Sequence, residues 1–200
     1  MLERSHHEKS KKDKLVLRLT TTLLVFGLGG VWFYNYKNDN VEPTVTSASD
    51  QTTTFIQTIS PTAIEIYKTY DLYASVLLAQ AILESSSGQS DLSKAPNYNL
   101  FGIRGEYKGK SVQMPTLEDD GKGNMTQIQA PFRAYPNYSA SLYDYAELVS
   151  SQKYASVWKS NTSSYKDATA ALTGLYATDT AYASKLNQII ETYSLDAYDK

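Results

Sequence analysis

The chain has 200 residues, a formal net charge of −2, no cysteine, two histidines, and 17 tyrosines against five phenylalanines. That length suits one modest domain plus an appendage, and a hydrophobic content of 42% supports a packed core. The missing cysteines exclude a disulfide scaffold, a thiolate metal site and a cysteine nucleophile, and the confinement of His6 and His7 to a charged tail nearly excludes a Ser-His-Asp triad or a histidine-rich zinc site. The chemistry left belongs to carboxylates, tyrosines, lysines and hydroxyls. No metal or cofactor is implied.

Residues 1–40 carry seven Lys/Arg and four Asp/Glu, whereas residues 41–200 carry twelve and seventeen. The basic end does not read as a nucleic-acid patch, because an uncharged run from Leu19 to Tyr36 follows it. These eighteen residues, as a helix, reach about 27 Å, close to the apolar thickness of a bilayer. Trp32, Tyr34 and Tyr36 would sit at the far water boundary, and Lys9, Lys11, Lys12, Lys14 and Arg18 would keep the N-terminus cytoplasmic. The pattern predicts a basic cytoplasmic tail at 1–18 and a single-pass signal anchor in the cell membrane at 19–36. Everything beyond faces outward. A cleaved signal peptide is the rival reading. Residues 37–59, rich in Thr, Ser, Asn and Asp, suit an extended solvated tether, with the polar linker at 37–54 and the outer domain at 55–200.

Ser60-Pro61 has the form of a helix start, a hydroxyl cap before a first-turn proline, and predicts a short helix over 61–69. Asp71 is placed to cap a second helix through LYASVLLAQAILES. That helix is apolar nearly all round and so belongs inside the domain. Gly88 supplies its left-handed exit. Residues 108–116 and 125–135 read as strands around a loop of Asp, Gly and Asn. Three further helices are predicted over 138–151, 164–175 and 179–193. The fold class is α+β, mostly α, with one small hairpin.

Glu84 ends the most apolar helix. Its apolar surround and the negative end of the helix dipole both favour the protonated carboxyl, which suits a general acid. The competing possibility is that Glu84 leaves the helix for water. Glu118, Asp119 and Asp120 form a second acidic group in the hairpin loop, which by itself reads equally as a solvated turn. Carboxylates on either side of a groove are the usual equipment for cleaving a glycosidic bond.

The stretch Ala79-Gln80-Ala81-Ile82-Leu83-Glu84-Ser85, then Gly88, Ser90, Leu92 and Asn99-Leu100-Phe101-Gly102-Ile103, resembles the glucosaminidase domain of glycoside hydrolase family 73. So do Phe132-Arg133-Ala134-Tyr135-Pro136 and Tyr176-Ala177-Thr178-Asp179 with Tyr182, Lys185 and Leu186, in family order over about residues 55–198. The resemblance implies a lysozyme-like fold, a helical lobe and a small β-hairpin lobe with a groove between them. It implies hydrolysis of the β-1,4 bond after N-acetylglucosamine in the glycan strands of bacterial peptidoglycan. Glu84 matches the family's general acid, Glu118 the acid of the β-lobe, and Tyr176 a tyrosine near the scissile sugar. Asn99, Phe101, Tyr98, Tyr135 and Asp179 lie in or beside the same motifs and are candidates for substrate binding, although a turn-forming role suits Asn99 equally. Two departures stand out. Glu84-Ser85-Ser86-Ser87-Gly88 stands where the family often has Glu-Ser-Gly-Trp-Gly, and Thr180 replaces a proline after Asp179. A lytic transglycosylase or muramidase on the same fold, or a glycan-binding module without activity, remains open.

Overall fold

The structure, a computed structural model, describes residues 48–119 and 125–200. The predicted basic tail and membrane span, linker residues 37–47 and the hairpin tip at 120–124 lie outside the described residues. Among the described residues no helix is long and apolar enough to cross a membrane.

Helix α1 runs Ala48–Thr69 and carries Pro61 in its interior. The predicted helix start at Ser60-Pro61 is therefore a mid-helix position, and residues 48–59 are helical rather than extended. The cause is a continuous buried stripe. Thr52, Phe55, Ile56, Ile59, Ala63 and Ile66 recur at three- and four-residue steps on both sides of the proline. Pro61 itself is exposed, so the turn it weakens faces water. The threonines on the open face satisfy their hydroxyls locally: Thr54 donates to Asp50 O and Thr58 to Thr54 O, each at 2.9 Å.

Helix α2, Ala74–Ser85, is buried from Ala74 to Ile82. Each fully buried Leu or Ile there contributes about 1.5–3 kcal/mol, which makes α2 the axis of the domain. Asp71 does not cap it. Asp71 instead accepts from the backbone N–H and the hydroxyl of Ser160. The cap comes from the far end of the chain, where Asp199 accepts from Ser75 N at 2.9 Å and from Ser75 Oγ at 2.6 Å. The exit also differs from expectation. The left-handed step begins at Ser86 (φ 52°), continues through Ser87 (φ 57°) and only then reaches Gly88 (φ 76°). A Cβ on Gly88 would stand 2.8 Å from the Phe55 ring, so glycine is required there by close approach as well as by conformation.

Strands β1 (Ser111–Asp119) and β2 (Met125–Arg133) form a two-stranded antiparallel sheet. Val112 faces Phe132, Met114 faces Ala130 and Thr116 faces Ile128, which makes the less exposed side of the hairpin, with Ile128 itself exposed. Helix α3 (Tyr138–Val149) is capped by Asn137, whose side chain accepts from Ala140 N. Helices α4 (Tyr165–Leu172) and α5 (Tyr182–Tyr193) follow, each shorter than its sequence pattern. Short 3-10 helices at Gln152–Val157, Lys159–Asn161 and Leu195–Tyr198 fill the connections. The described residues thus make a mostly helical body around α2 with one small hairpin.

Candidate active site

Glu84 leaves the last turn of α2 half-buried. Its Oε1 accepts a hydrogen bond from the Tyr182 hydroxyl at 2.7 Å. Burial pushes the Glu84 carboxyl up from 4.5 to about 7, against the opposing pull of the Tyr182 hydrogen bond and the Lys185 charge. Lys185 donates to Asp179 Oδ2 at 2.7 Å, and Asp179 Oδ1 accepts from Ala181 N at 2.8 Å. Asp179 therefore holds the one cation near Glu84 among the described residues and lowers its influence on the carboxyl. Those same bonds keep the Asp179 carboxyl below its usual range.

A wall of rings stands behind the carboxyl. Phe101 stacks on Tyr145 at 4.0 Å, Tyr145 meets Tyr176 edge-on at 5.7 Å, and Tyr176 stacks on Tyr182 at 5.9 Å. All four are buried. Tyr176 donates to Phe101 O at 3.3 Å, which ties the loop after α4 to the Asn99–Ile103 turn. Burial and the nearby Glu84 charge push the Tyr176 hydroxyl well above its ordinary range, so it stays protonated.

Asn99, Tyr98 and Tyr135 gather at the junction of the helical body and the hairpin, whereas Glu118 stands at the opposite end of β1, beside the hairpin tip. Asn99 is buried and its amide is fully used. It donates to Ile103 O and Arg133 O, both at 2.9 Å, and accepts from Ile103 N at 3.1 Å and Phe101 N at 3.3 Å. That is a turn-building role. Tyr135 is buried, with its hydroxyl on Asp144 Oδ2 at 2.6 Å, and the same oxygen takes Arg133 Nη1 at 2.5 Å. Tyr98 is half-buried, in a left-handed conformation (φ 48°), edge-on to Tyr138 at 5.3 Å. Glu118 lies in β1 opposite Thr126, and Asp119 opposite Met125.

Sequence reasoning passed over two residues that touch Glu84 or its partner. Tyr182 and Gln80 entered only as letters of a motif. A signal existed: Gln80 is a lone amide in an otherwise apolar helix, four residues before Glu84 and therefore on the same face. The exchange of Trp for Ser87 also has a local partner, since the Ser87 and Thr52 hydroxyls are 2.8 Å apart and join the exit of α2 to α1.

The glucosaminidase family, described as mannosyl-glycoprotein endo-beta-N-acetylglucosaminidase, matches residues 60–195. The chain is 51% identical over 152 residues to the autolysin of Enterococcus faecalis, covering 72% of this chain and 20% of that protein. It is 41% identical to the exo-glucosaminidase LytG of Bacillus subtilis, covering 78% and 56%. It is 44% identical to a probable N-acetylmuramidase of Lactococcus lactis, covering 78% and 37%. The chain thus spans about a fifth to a quarter of the length of the first relatives it matches. The crystal structure of the catalytic domain of the autolysin Auto from Listeria monocytogenes is similar to it at a TM-score of 0.71 and 49% identity, covering 80% of this chain and 91% of that one.

Proposed function

The chain belongs to the glucosaminidase family of glycoside hydrolases, and from that premise we propose that it cuts the glycan strands of bacterial peptidoglycan at the β-1,4 bond after N-acetylglucosamine. The observation that carries this is Glu84 itself. It is a half-buried carboxyl whose pKa is raised to about 7, so a large share of it is protonated at neutral pH and can give its proton to the departing glycosidic oxygen. Glu118 is assigned to the opposite side of the reaction, where it activates water or stabilises the developing charge. Tyr176 stands in the ring wall beside Glu84, 2% exposed with its hydroxyl on the Phe101 carbonyl, and is assigned to holding the turn that faces the reacting sugar, not to touching the sugar. The apolar run at 19–36 is assigned as the membrane anchor that holds this domain on the wall-facing side. Helix α1 begins at Ala48, which leaves residues 37–47 as the connection.

The test is the full chain, wild type and Glu84→Gln, on purified wall glycan with mass analysis of the products. New reducing ends should be N-acetylglucosamine, and Glu84→Gln should lose roughly 10²–10⁴-fold in rate. Reducing N-acetylmuramic acid, or its anhydro form, overturns the bond assignment in favour of the muramidase or transglycosylase reading, the former in line with the name of the Lactococcus lactis relative, a probable N-acetylmuramidase. Wild-type lysis by Glu84→Gln removes Glu84 from the mechanism. Wild-type protein that holds glycan and never cuts it supports a binding module.

A further inference from the structure

Three side chains from three helices form a chain of hydrogen bonds that ends on Glu84. The Tyr145 hydroxyl (α3) donates to Gln80 Oε1 (α2) at 2.5 Å. Gln80 Nε2 donates to the Tyr182 hydroxyl oxygen (α5) at 3.0 Å. The Tyr182 hydroxyl donates to Glu84 Oε1 at 2.7 Å. Gln80, Tyr145 and Tyr182 are all buried to within 2% of complete. The direction of the chain is set by the orientation of the Gln80 amide. With its carbonyl oxygen on Tyr145, Gln80 presents its amide nitrogen to Tyr182. The Tyr182 oxygen, occupied by an incoming donor, then turns its own proton toward Glu84. Oε2 takes no hydrogen bond from the described residues.

We propose that Tyr182, oriented through Gln80 and Tyr145, is a positioning residue that keeps a permanent donor on Oε1 of Glu84 and thereby reserves Oε2 as the oxygen that carries the catalytic proton. This rests on the assignment of Glu84 as the general acid. Proton delivery needs one defined oxygen aimed at the leaving group, and a carboxyl free to carry its proton on either oxygen spends part of its time misaimed. The relay also balances burial. A donor to the charged form favours ionisation, so the carboxyl settles near neutrality instead of higher. The other groups facing it are Lys185 from α5, paired with Asp179, and the hydroxyls of Tyr176 and Tyr145.

The test is the pH profile of kcat/KM on wall glycan for the full chain, beside Tyr182→Phe, Gln80→Leu and Tyr145→Phe. A general acid is active while protonated, so activity falls as pH rises through its pKa. Tyr182→Phe removes a donor to the carboxylate and should move that alkaline limb upward by about one pH unit. It should lower kcat about tenfold or more at its own optimum, with KM changed less than threefold. The two remoter variants should move the limb the same way by less, and they carry the test where Tyr182→Phe does not fold. A uniform loss of activity with an unmoved limb in every folded variant overturns the proposal. So does a limb that moves downward. Carboxyl carbon NMR, with the Glu84 signal assigned by its loss in Glu84→Gln, reads the same titration without catalysis. An NMR shift in Tyr182→Phe alongside full activity of Glu84→Gln overturns the general-acid assignment, and with it the catalytic part of this proposal. No NMR shift, with Glu84→Gln inactive, overturns the relay alone.

Discussion

Asn99→Ala separates a structural amide from a substrate-binding one. The side chain makes four hydrogen bonds, all to backbone, and is 1% exposed. Truncation does not orphan all four partners equally. Ile103 O also accepts from Arg133 N at 2.9 Å and keeps that bond. Arg133 O, Ile103 N and Phe101 N each lose the amide in a site from which water is largely excluded. At about 1 kcal/mol for each of these, with a smaller share for Ile103 O, the loss of stability is about 3 kcal/mol. For a domain of about 150 residues that lowers Tm by roughly 6–12 °C. Asn99→Asp should be no better, because it keeps the acceptor but sets a carboxylate oxygen against the Ile103 and Arg133 carbonyls. The assay is a urea midpoint beside kcat and KM measured well below Tm. A loss of stability with KM within twofold of wild type is the expected result. A variant as stable as wild type with a KM raised tenfold would refute the accounting, and would return Asn99 to the sugar.

Ser86→Gly should stabilise the domain by up to about 1 kcal/mol, read as a raised urea midpoint, because Ser86 is exposed and sits in the left-handed region. Asp199→Ala removes the side-chain cap of α2 and should cost about 1–2 kcal/mol by the same measurement. Glu84→Gln should raise stability at pH 8. The folded carboxyl titrates near 7 and the unfolded one near 4.5, so between those values the native state binds more protons and wild type loses stability as pH rises. The gain is about 2–3 kcal/mol at pH 8 and vanishes near pH 4, and an equal gain at both pH values would show that the carboxyl is not displaced.

Much of the fold was legible because period and punctuation agreed. The hairpin showed as two runs around Asp, Gly and Asn, and α2 showed as an unbroken apolar helix ending at Glu84. The errors came where a local signal met a longer pattern. Ser60-Pro61 is a good helix start in isolation, but the stripe from Thr52 to Ile66 runs straight through it, and burial of Phe55, Ile56 and Ile59 outweighs one missing backbone bond. Asp71 has the right chemistry for a cap and lies two residues before the cap position, Tyr73. The true cap, Asp199, is 124 residues away from Ser75 and no local pattern points to it. The site divided the same way. Glu84 stood out because a carboxyl at the end of an apolar helix is anomalous anywhere. Tyr182 did not, because a tyrosine on a helix face has the same spacing whether its hydroxyl meets water or a carboxylate.

Three of the 17 tyrosines follow from the same chemistry. Glu84 needs surroundings apolar enough to hold a proton near neutral pH, yet a fully apolar pocket would drive its pKa far higher and leave its oxygens undirected. A phenylalanine wall would supply the first property only. A tyrosine supplies apolar ring area together with one hydroxyl that must find a partner when buried. In Tyr145, Tyr176 and Tyr182 those partners are Gln80, the Phe101 carbonyl and Glu84. The rings desolvate the carboxyl, and the hydroxyls fix both its orientation and the neighbouring turn. Each of the three is 2% exposed or less, so they act on the acid from behind. Phe101 fits the same logic by exception: it makes the closest stack in the wall, 4.0 Å from Tyr145, and it is its backbone carbonyl, not its side chain, that supplies the polar contact.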